Sequence, residues 1–325
     1  MMKQINKLFF GIIFYPLFII SKLIPKSNNV WIFGAWYGNR YSDNTSYLFE
    51  YIHKEKLPVK AIWLSNKNKI ISHLRSKGYR AFNKNSIFGF YYGCRAAVSF
   101  VNCGYSDVNM YAIGKSLKVQ LWHGIPLKKI KYDDEINENK PHNPYYNRVK
   151  SALLFIFPFL NDNWDFIISS SEDVSQRMAS AFRVDIAKII ETGYPRMDKI
   201  LSPKDELLNI FPQTKDWKQF SKIILYAPTH RREGRGGASL FDSMDYLKFN
   251  EILSNENAAM FIKMHYHHES NNNYLLDKSF SNIILLEESD VSDINTILPF
   301  VDILISDYSG VVLDYLILDR PIIPT

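Results

Sequence analysis

Four short apolar runs in this 325-residue chain are each followed by a turn whose side chains could do chemistry. The turns contain glycine or proline beside His, Arg, Asp, Ser or Thr, and they span Trp122–Leu127, Gly193–Asp198, Tyr226–Arg231 and Ser306–Gly310. If the runs are parallel strands, their carboxyl ends lie where open α/β sheets keep their reactive groups. One such ending is ordinary, whereas four in one chain predict a single site assembled from several strand ends.

His123 is the candidate general base. It follows the strand-like run 117–121, and Gly124 and Pro126 form the turn around it. The pKa of an imidazole lies near 7, which suits it to accept a proton from an alcohol that attacks a phosphoryl group. A lone histidine is more often structural. The position of His123 in a turn where Gly124 allows close backbone approach favours catalysis.

Two other strand ends could hold phosphate groups. Asp307, Ser309 and Gly310 leave a strand and open an apolar helix, whose first N–H groups and dipole attract anions. Thr229 and Arg231 supply a hydroxyl and a guanidinium at a second strand end, and arginine pairs bidentately with phosphate oxygens. For Ser309 the alternative is a helix cap worth about 1 kcal/mol, and taken alone that alternative is favoured.

The histidines around His265 allow two interpretations. His265 and His267 alternate along an extended segment and could share one face, which would suit a metal ion. No carboxylate–histidine ligand set accompanies them at a known spacing. We therefore expect no metal site and favour His265 as a donor toward phosphate.

Composition limits the function classes. Hydrophobic residues make up 46% of the chain and charged residues 22%, which excludes a disordered protein. The net charge of +6 favours an anionic partner, although an AT-rich genome explains it equally well. Because the basic residues are dispersed and form no binding motif, we expect no nucleic-acid partner. The only cysteines, Cys94 and Cys103, fit a reducing compartment.

The amino terminus carries a membrane signal. Leu8 to Ile20 is a mostly apolar stretch with lysines on both flanks; it is shorter than the roughly 20 residues that span a bilayer. We expect residues 1–26 to lie as a helix on the cytoplasmic face of the cell membrane, bound to its anionic surface. The alternative is a buried first helix of the domain. For the apolar run 152–160, within the segment 128–164, we favour membrane contact over a buried helix with an acceptor-covering loop.

The elements that must position these residues form two sheets. Apolar runs alternate with amphipathic stretches, which predicts an α/β protein with parallel strands covered by helices. The pattern restarts after Pro203, so we expect one Rossmann-like domain at 27–203 and a second at 204–325. The predicted strands are 30–34, 60–64, 96–101, 118–122 and 166–169 in the first domain, and 222–226, 259–263, 282–286 and 302–306 in the second. Four helices are predicted. The first runs from a cap at Asp43 or Asn44 to about His53, and the second runs from Lys69 to Lys77 and is closed by Gly78. The third begins at Ser171 or Glu172, and the fourth runs from Val311 to Leu318.

Six motifs follow one another along the chain. They are Phe33–Trp36 with Tyr41–Asn44, Trp122–Lys128, Gly193–Asp198, Tyr226–Thr229, Met264–Tyr266, and Ser306–Val311 with Asp314 and Tyr315. In this order they resemble the motifs of the CDP-glycerol glycerophosphotransferase family, whose members build the glycerol and ribitol phosphate polymers of teichoic acids. The resemblance extends from about residue 30 to the end of the chain.

The resemblance implies a GT-B-type fold, in which two Rossmann-like domains face a cleft, and peripheral attachment to the membrane. It implies transfer of a polyol phosphate, glycerol phosphate first of all, from CDP-glycerol or CDP-ribitol to a lipid-linked or polymeric acceptor, with release of CMP and no cofactor. By motif, the two active-site histidines of the family fall on His123 and His265, and the turn Asp307–Gly310 holds donor phosphates. The other motif residues are Gly124, Pro126, Arg196 and Asp198.

The chain departs from the family pattern at Ile125, Met197 and His230, where threonine, asparagine and tryptophan are usual. It also ends at Thr325, where relatives continue with a further strand and closing helices, so we expect the second domain to be incomplete. The alternative function is a sugar-nucleotide glycosyltransferase or an inactive, truncated relative.

Overall fold

The computed structural model describes residues 2–134, 148, 152–161, 163–201, 217–228, 245–263, 280–287, 290–291, 293–307 and 309–325. The chain forms two compact units, residues 1–195 and 196–325, each built around its own sheet. The predicted boundary at residue 203 lies further along the chain. The earlier division arises because Ile200 is buried in the core of the second unit and Arg196 pairs with Asp314 there.

The first unit holds a seven-stranded sheet. Its strands are β1 (Ser27–Phe33), β2 (Lys60–Ser65), β3 (Ala81–Asn83), β4 (Ala96–Val101), β5 (Leu117–Gln120), β6 (Phe166–Ser169) and β7 (Ile189–Glu191). They lie in the order β3-β2-β1-β4-β5-β6-β7, and all neighbours are parallel. The strand order reverses between β1 and β4, which is where open α/β sheets place their ligands.

Helices α1 (Met2–Leu23), α2 (Asp43–Lys54), α3 (Asn68–Ser76), α4 (Ile87–Arg95) and α5 (Glu172–Phe182) belong to the first unit. Local chemistry sets several of their ends. The Ser86 and Ser171 hydroxyls accept the N–H groups of Gly89 and Val174 and so cap α4 and α5. Gly78 has a φ of +80° and closes α3, as predicted.

The second unit holds a five-stranded sheet. Its strands are β8 (Lys222–Tyr226), β9 (Ala258–Ile262), β10 (Ile283–Leu285), β11 (Ile303–Ser306) and β12 (Ile322–Pro324). Its described α-helices are α6 (Pro195–Ile200), which starts at the unit boundary, α7 (Tyr246–Asn255) and α8 (Gly310–Tyr315). The order is β10-β9-β8-β11-β12, again with parallel neighbours, and it reverses between β8 and β11. Every residue of β9 is buried, as expected for a parallel strand covered on both faces.

The nine predicted strands are all present within three residues of their predicted ends, and the α/β prediction is confirmed. The run 118–122 was expected to stay extended through Trp122, but β5 ends at Gln120 because Trp122 adopts a left-handed φ of 52°. Helix α4 was not predicted, because Gly89 and Gly93 weaken its helical pattern. It forms against neighbours that leave no room for larger side chains: a Cβ at Gly89 would overlap the carbonyl of Asn83.

Helix α1 has one packed face and one exposed face. Phe18 and Ser21 are buried, and the Phe18 ring lies 5.0 Å from that of Phe159, so part of the run 152–160 is core as well. Phe155, by contrast, is 88% exposed. Among the helices that the structure describes, none is long and apolar enough to cross a membrane.

Candidate active site

His123 lies just past the end of β5 and is half-buried, as is Gly124, whereas Pro126 is buried. The His123 imidazole stacks on the Trp122 ring at a centroid distance of 4.1 Å. The Trp36 ring lies 5.2 Å away and comes from the loop after β1. The imidazole is therefore oriented by two aromatic neighbours and still reaches solvent.

The loops around His123 hold unusual backbone. Trp36, Tyr37, Asp43 and Trp122 have φ values of 49°, 60°, 67° and 52°, in the left-handed region that bulky residues avoid. Each such residue costs of order 1–3 kcal/mol, and such conformations persist where the surrounding structure enforces them, often at functional sites. Their concentration at one sheet edge supports this edge as the site.

Asn44 fixes the turn that carries His123. It was predicted as a possible cap of α2, but helix α2 begins one residue earlier and the Asn44 side chain has another role. Its Nδ2 donates to the carbonyl oxygens of Leu121 at 2.9 Å and Trp122 at 3.0 Å, and the residue is fully buried. The first turn of α2 is thus bound directly to the residues that precede the imidazole.

Asp107 fixes the two loops beside this turn. One carboxylate oxygen accepts N–H groups from Asn102, Cys103 and Gly104 at 2.9, 2.7 and 3.3 Å, and the other accepts the Tyr37 N–H at 2.7 Å. The loop after β4 is therefore tied to the loop after β1. Burial raises the pKa of Asp107 to about 6, against the effect of these backbone hydrogen bonds, so the group is a carboxylate at neutral pH.

The amides of Asn102 and Gln120 extend this network. The Asn102 Oδ1 accepts the Trp36 N–H at 3.0 Å, and the Gln120 Oε1 accepts the Trp122 N–H at 3.0 Å. Both residues are fully buried, and their NH₂ groups have no hydrogen-bond partner in the structure. The two side-chain oxygens therefore fix the backbone on either side of the site, at Trp36 and at Trp122.

Two further titratable groups at this edge, the Lys84 ammonium and the Cys103 thiol, have pKa values that burial shifts. Lys84 donates to the carbonyl oxygens of Tyr37 at 2.9 Å and Ser106; burial lowers its pKa, and the Asp107 carboxylate opposes that shift. Burial, helped by Asp107 and Asp43, raises the pKa of the Cys103 thiol. A thiol that stays protonated is a poor nucleophile, so Cys103 does not compete with His123 as the candidate base at this edge.

The second unit has its own candidate site at the reversal between β8 and β11. Ser306 Oγ donates to the Ala227 carbonyl at 2.6 Å, so the two strand ends are joined, and Asp307 is buried beside them. Ser309 caps α8 by accepting the Val311 N–H, which confirms the capping alternative. Gly310 begins the helix.

Three predicted residues, Thr229, Arg231 and His265, lie outside the described residues. The strands that precede them are described. Thr229 and Arg231 follow β8, His265 follows β9, and these two strands pair in parallel. The carboxyl ends of β8 and β9 therefore lie at the same edge of the sheet as that of β11, which precedes Asp307. Within the described ranges, no three His, Cys, Asp or Glu side chains cluster in a way that could hold a metal ion.

Arg196 has a structural partner. It is 2% exposed, and one of its guanidinium nitrogens lies 2.8 Å from the carboxylate of Asp314 in α8. Two of the motifs found in the sequence thus meet as a buried ion pair in the second unit. Asp198, two residues on in α6, is exposed.

Comparison with known proteins identifies the family of this chain. Residues 15–324 match the family described as CDP-Glycerol:Poly(glycerophosphate) glycerophosphotransferase. A teichoic acid poly(glycerol phosphate) polymerase of Bacillus spizizenii is 30% identical over 96% of this chain and 77% of its own length. A teichoic acid glycerol-phosphate transferase of Staphylococcus aureus is 28% identical over 98% of this chain and 79% of its own length.

A solved structure has the same fold. The wall teichoic acid polymerase TagF superposes with a TM-score of 0.68 at 25% sequence identity, over 91% of this chain and 70% of that one. The fold of this chain is therefore similar to that of a wall teichoic acid polymerase.

Proposed function

This chain belongs to the CDP-glycerol:poly(glycerophosphate) glycerophosphotransferase family, and we propose that it transfers glycerol phosphate from CDP-glycerol to a teichoic-acid-type acceptor, releasing CMP. The observation that carries the proposal is the position of the predicted residues. Both sheets reverse their strand order, and the candidate groups follow strands at or next to each reversal. Open α/β sheets bind ligands at such points.

The reaction assigns one task to each unit. A hydroxyl oxygen of the acceptor attacks the phosphorus that bears glycerol, the bond from that phosphorus to the CMP oxygen breaks, and CMP leaves with the electron pair. His123 accepts the hydroxyl proton as the new P–O bond forms. Its half-buried imidazole, held by Trp36 and Trp122, suits a general base.

The donor phosphates are assigned to the second unit. Asp307 and the Ser309 hydroxyl lie at the reversal between β8 and β11, and Arg231 and Thr229 follow β8. A guanidinium and hydroxyl donors compensate the charge of a diphosphate. His265, which follows β9, is assigned as a further donor to the phosphates.

Donor specificity tests the proposal. Purified protein is incubated with a glycerol phosphate oligomer and with CDP-glycerol, CDP-ribitol or a UDP-sugar in parallel, and the released nucleotide is identified by mass spectrometry. We expect CMP from CDP-glycerol together with an oligomer longer by one unit. Release of UDP from a sugar donor, with no CMP from either CDP-polyol, would assign the chain to the glycosyltransferases.

We also propose that the protein binds the cytoplasmic face of the cell membrane through α1. The outer face of this helix exposes Ile12, Ile13, Ile20 and Leu23 at 57%, 51%, 43% and 73%, beside Lys22. An apolar face flanked by lysines suits an anionic membrane surface. Because Phe18 and Ser21 are buried, deleting the helix would disturb the core, so point variants are the better test.

The membrane proposal is tested by flotation with vesicles that contain phosphatidylglycerol. The double variant Ile13→Ser and Leu23→Ser should lower the bound fraction severalfold. The control is Leu247→Ser, which removes an equally exposed leucine, 77% accessible, from the second unit and should change nothing. Equal binding by all three proteins would contradict the assignment of α1 as the membrane contact.

A further inference from the structure

The first unit contains a cavity of about 230 Å³ that the roles assigned so far do not use. One wall is the segment from Pro126 to Asp133, and the other is α5, through Arg177 and Ala181. At about 30 Å³ for each water molecule, the cavity holds about eight waters. It is smaller than the roughly 300–1,000 Å³ pockets that take drug-sized ligands, so it suits a small polar group better than a nucleotide.

The cavity adjoins the turn that carries His123. Pro126 is three residues from His123, so their Cα atoms lie at most about 11 Å apart. The Lys131 ammonium lies 5.5 Å from the ring centres of both Trp122 and Phe182. The Trp122 ring in turn lies 5.1 Å from Phe182 at the end of α5. Both cavity walls therefore pack on the residue that stacks against the imidazole.

The cavity lining combines positive charge with a hydrogen-bond acceptor. Its lining residues include the cationic Lys128, Lys129 and Arg177 and the anionic Asp133. Asp133 accepts a hydrogen bond from the Ser180 hydroxyl at 2.9 Å, and a carboxylate has further lone pairs for other hydroxyl groups. A ligand that satisfies such a lining carries both phosphate and hydroxyl groups.

Arg177 can turn toward a phosphate at little cost. Its guanidinium lies 2.7 Å from the Asp173 carboxylate, but the two side chains are 54% and 71% exposed. Ion pairs this exposed contribute only a few tenths of a kcal/mol within a helix. A phosphate group offers the same guanidinium a bidentate, charge-assisted contact.

We propose that this cavity binds a polyol phosphate unit of the acceptor chain, with Lys128 and Arg177 on its phosphate and Asp133 on a hydroxyl. The inference rests on the proposed function and adds to it a place for the acceptor. The growing end is then held within reach of His123, while the donor is held by the second unit.

Calorimetry with a synthetic glycerol phosphate trimer tests the site without relying on turnover. The double variant Lys128→Gln and Arg177→Gln should weaken trimer binding tenfold or more, because charge-assisted contacts to phosphate are lost. Lys77→Gln, an exposed lysine of the same unit, is the matched control and should bind as the wild type does. Inorganic triphosphate, which has no polyol, should bind more weakly than the trimer. Asp133→Ala should reduce the difference in affinity between the trimer and triphosphate.

The outcomes separate the two proposals. Trimer binding by the double variant at wild-type affinity would overturn the cavity assignment, and so would triphosphate binding as tight as that of the trimer. Absence of CMP release by the wild-type protein would overturn the proposed function, whereas calorimetry would still decide the cavity. In turnover assays the double variant should raise the KM of the acceptor and leave the KM of CDP-glycerol unchanged.

Discussion

The ion pair between Arg196 and Asp314 can be tested against a matched pair elsewhere in the chain. Arg196 and Asp314 lie 2.8 Å apart with side chains 2% and 6% exposed. Arg177 and Asp173 lie 2.7 Å apart with side chains 54% and 71% exposed. The two pairs share chemistry and distance and differ in burial, so Asp314→Asn and Asp173→Asn make the same chemical change in opposite environments.

The expected costs differ about tenfold. Removing one partner of a buried pair leaves an uncompensated charge in a low-dielectric interior and costs about 3–5 kcal/mol. An exposed helical pair with i, i+4 spacing contributes about 0.3–0.5 kcal/mol. Replacing both buried partners by Arg196→Met with Asp314→Leu removes the charges together, and such replacements are often neutral or stabilising. That double variant should regain most of the stability lost in Asp314→Asn.

Hydrogen exchange followed by mass spectrometry reads the stability of each unit separately. Since 1.4 kcal/mol corresponds to a factor of ten, Asp314→Asn should speed amide exchange in β8 and β11 by about 10² to roughly 4 × 10³-fold. Asp173→Asn should change exchange in α5 by about twofold. If Asp314→Asn proved as mild as Asp173→Asn, or if the double variant recovered nothing, the structural role of the pair would be refuted.

Two further predictions concern the His123 edge. Asn44→Ala removes two buried hydrogen bonds worth about 1 kcal/mol each. It should therefore lower the free energy of unfolding, measured in urea, by about 2 kcal/mol. It should also lower kcat at least tenfold and leave the KM of CDP-glycerol unchanged. The control Asn68→Ala, at an exposed position, should change neither the stability nor kcat. Because burial raises the pKa of Asp107 from 3.8 to about 6, the folded state binds this proton more tightly than the unfolded chain. This group should then reduce the free energy of unfolding by roughly 2.4 kcal/mol as the pH rises from 4 to 7. Asp107→Asn should not show that decrease, and a difference from wild type that is constant with pH would contradict the burial argument.

Much of the fold follows from sequence pattern, because apolar runs of parallel strands are long and contiguous. The strand ends before His123 and before Asp307 were located in this way. Helix α4 was missed because Gly89 and Gly93 lower its helix propensity. The structure shows why glycine is needed at both positions, since neighbouring atoms leave no room for a side chain. The strands β3, β7 and β12 were missed because their apolar runs are only two residues long, whereas the equally short β10 lies in a run of four, residues 283–286.

The parts of the site that sequence reasoning missed depend on contacts between distant residues. Asn44 bonds carbonyl groups 77 and 78 residues away, and a local capping rule assigned its side chain to its own helix. Asp107 binds only backbone N–H groups, which leave no trace in side-chain types. Arg196 was grouped with the site residues because it lies in a motif. In the structure it pairs with Asp314, 118 residues away, and the two side chains form a buried ion pair in the second unit.

The most direct test of the account is CMP release from CDP-glycerol by His123→Asn, with a glycerol phosphate oligomer as acceptor. The control is His73→Asn, which changes an exposed histidine of the same unit. Loss of a general base reduces turnover by about 10²–10⁴-fold, so we expect that loss in His123→Asn, with unchanged hydrogen exchange in β4 and β5, and wild-type rates in His73→Asn. Wild-type rates in a folded His123→Asn protein would contradict the assignment of His123 as the base.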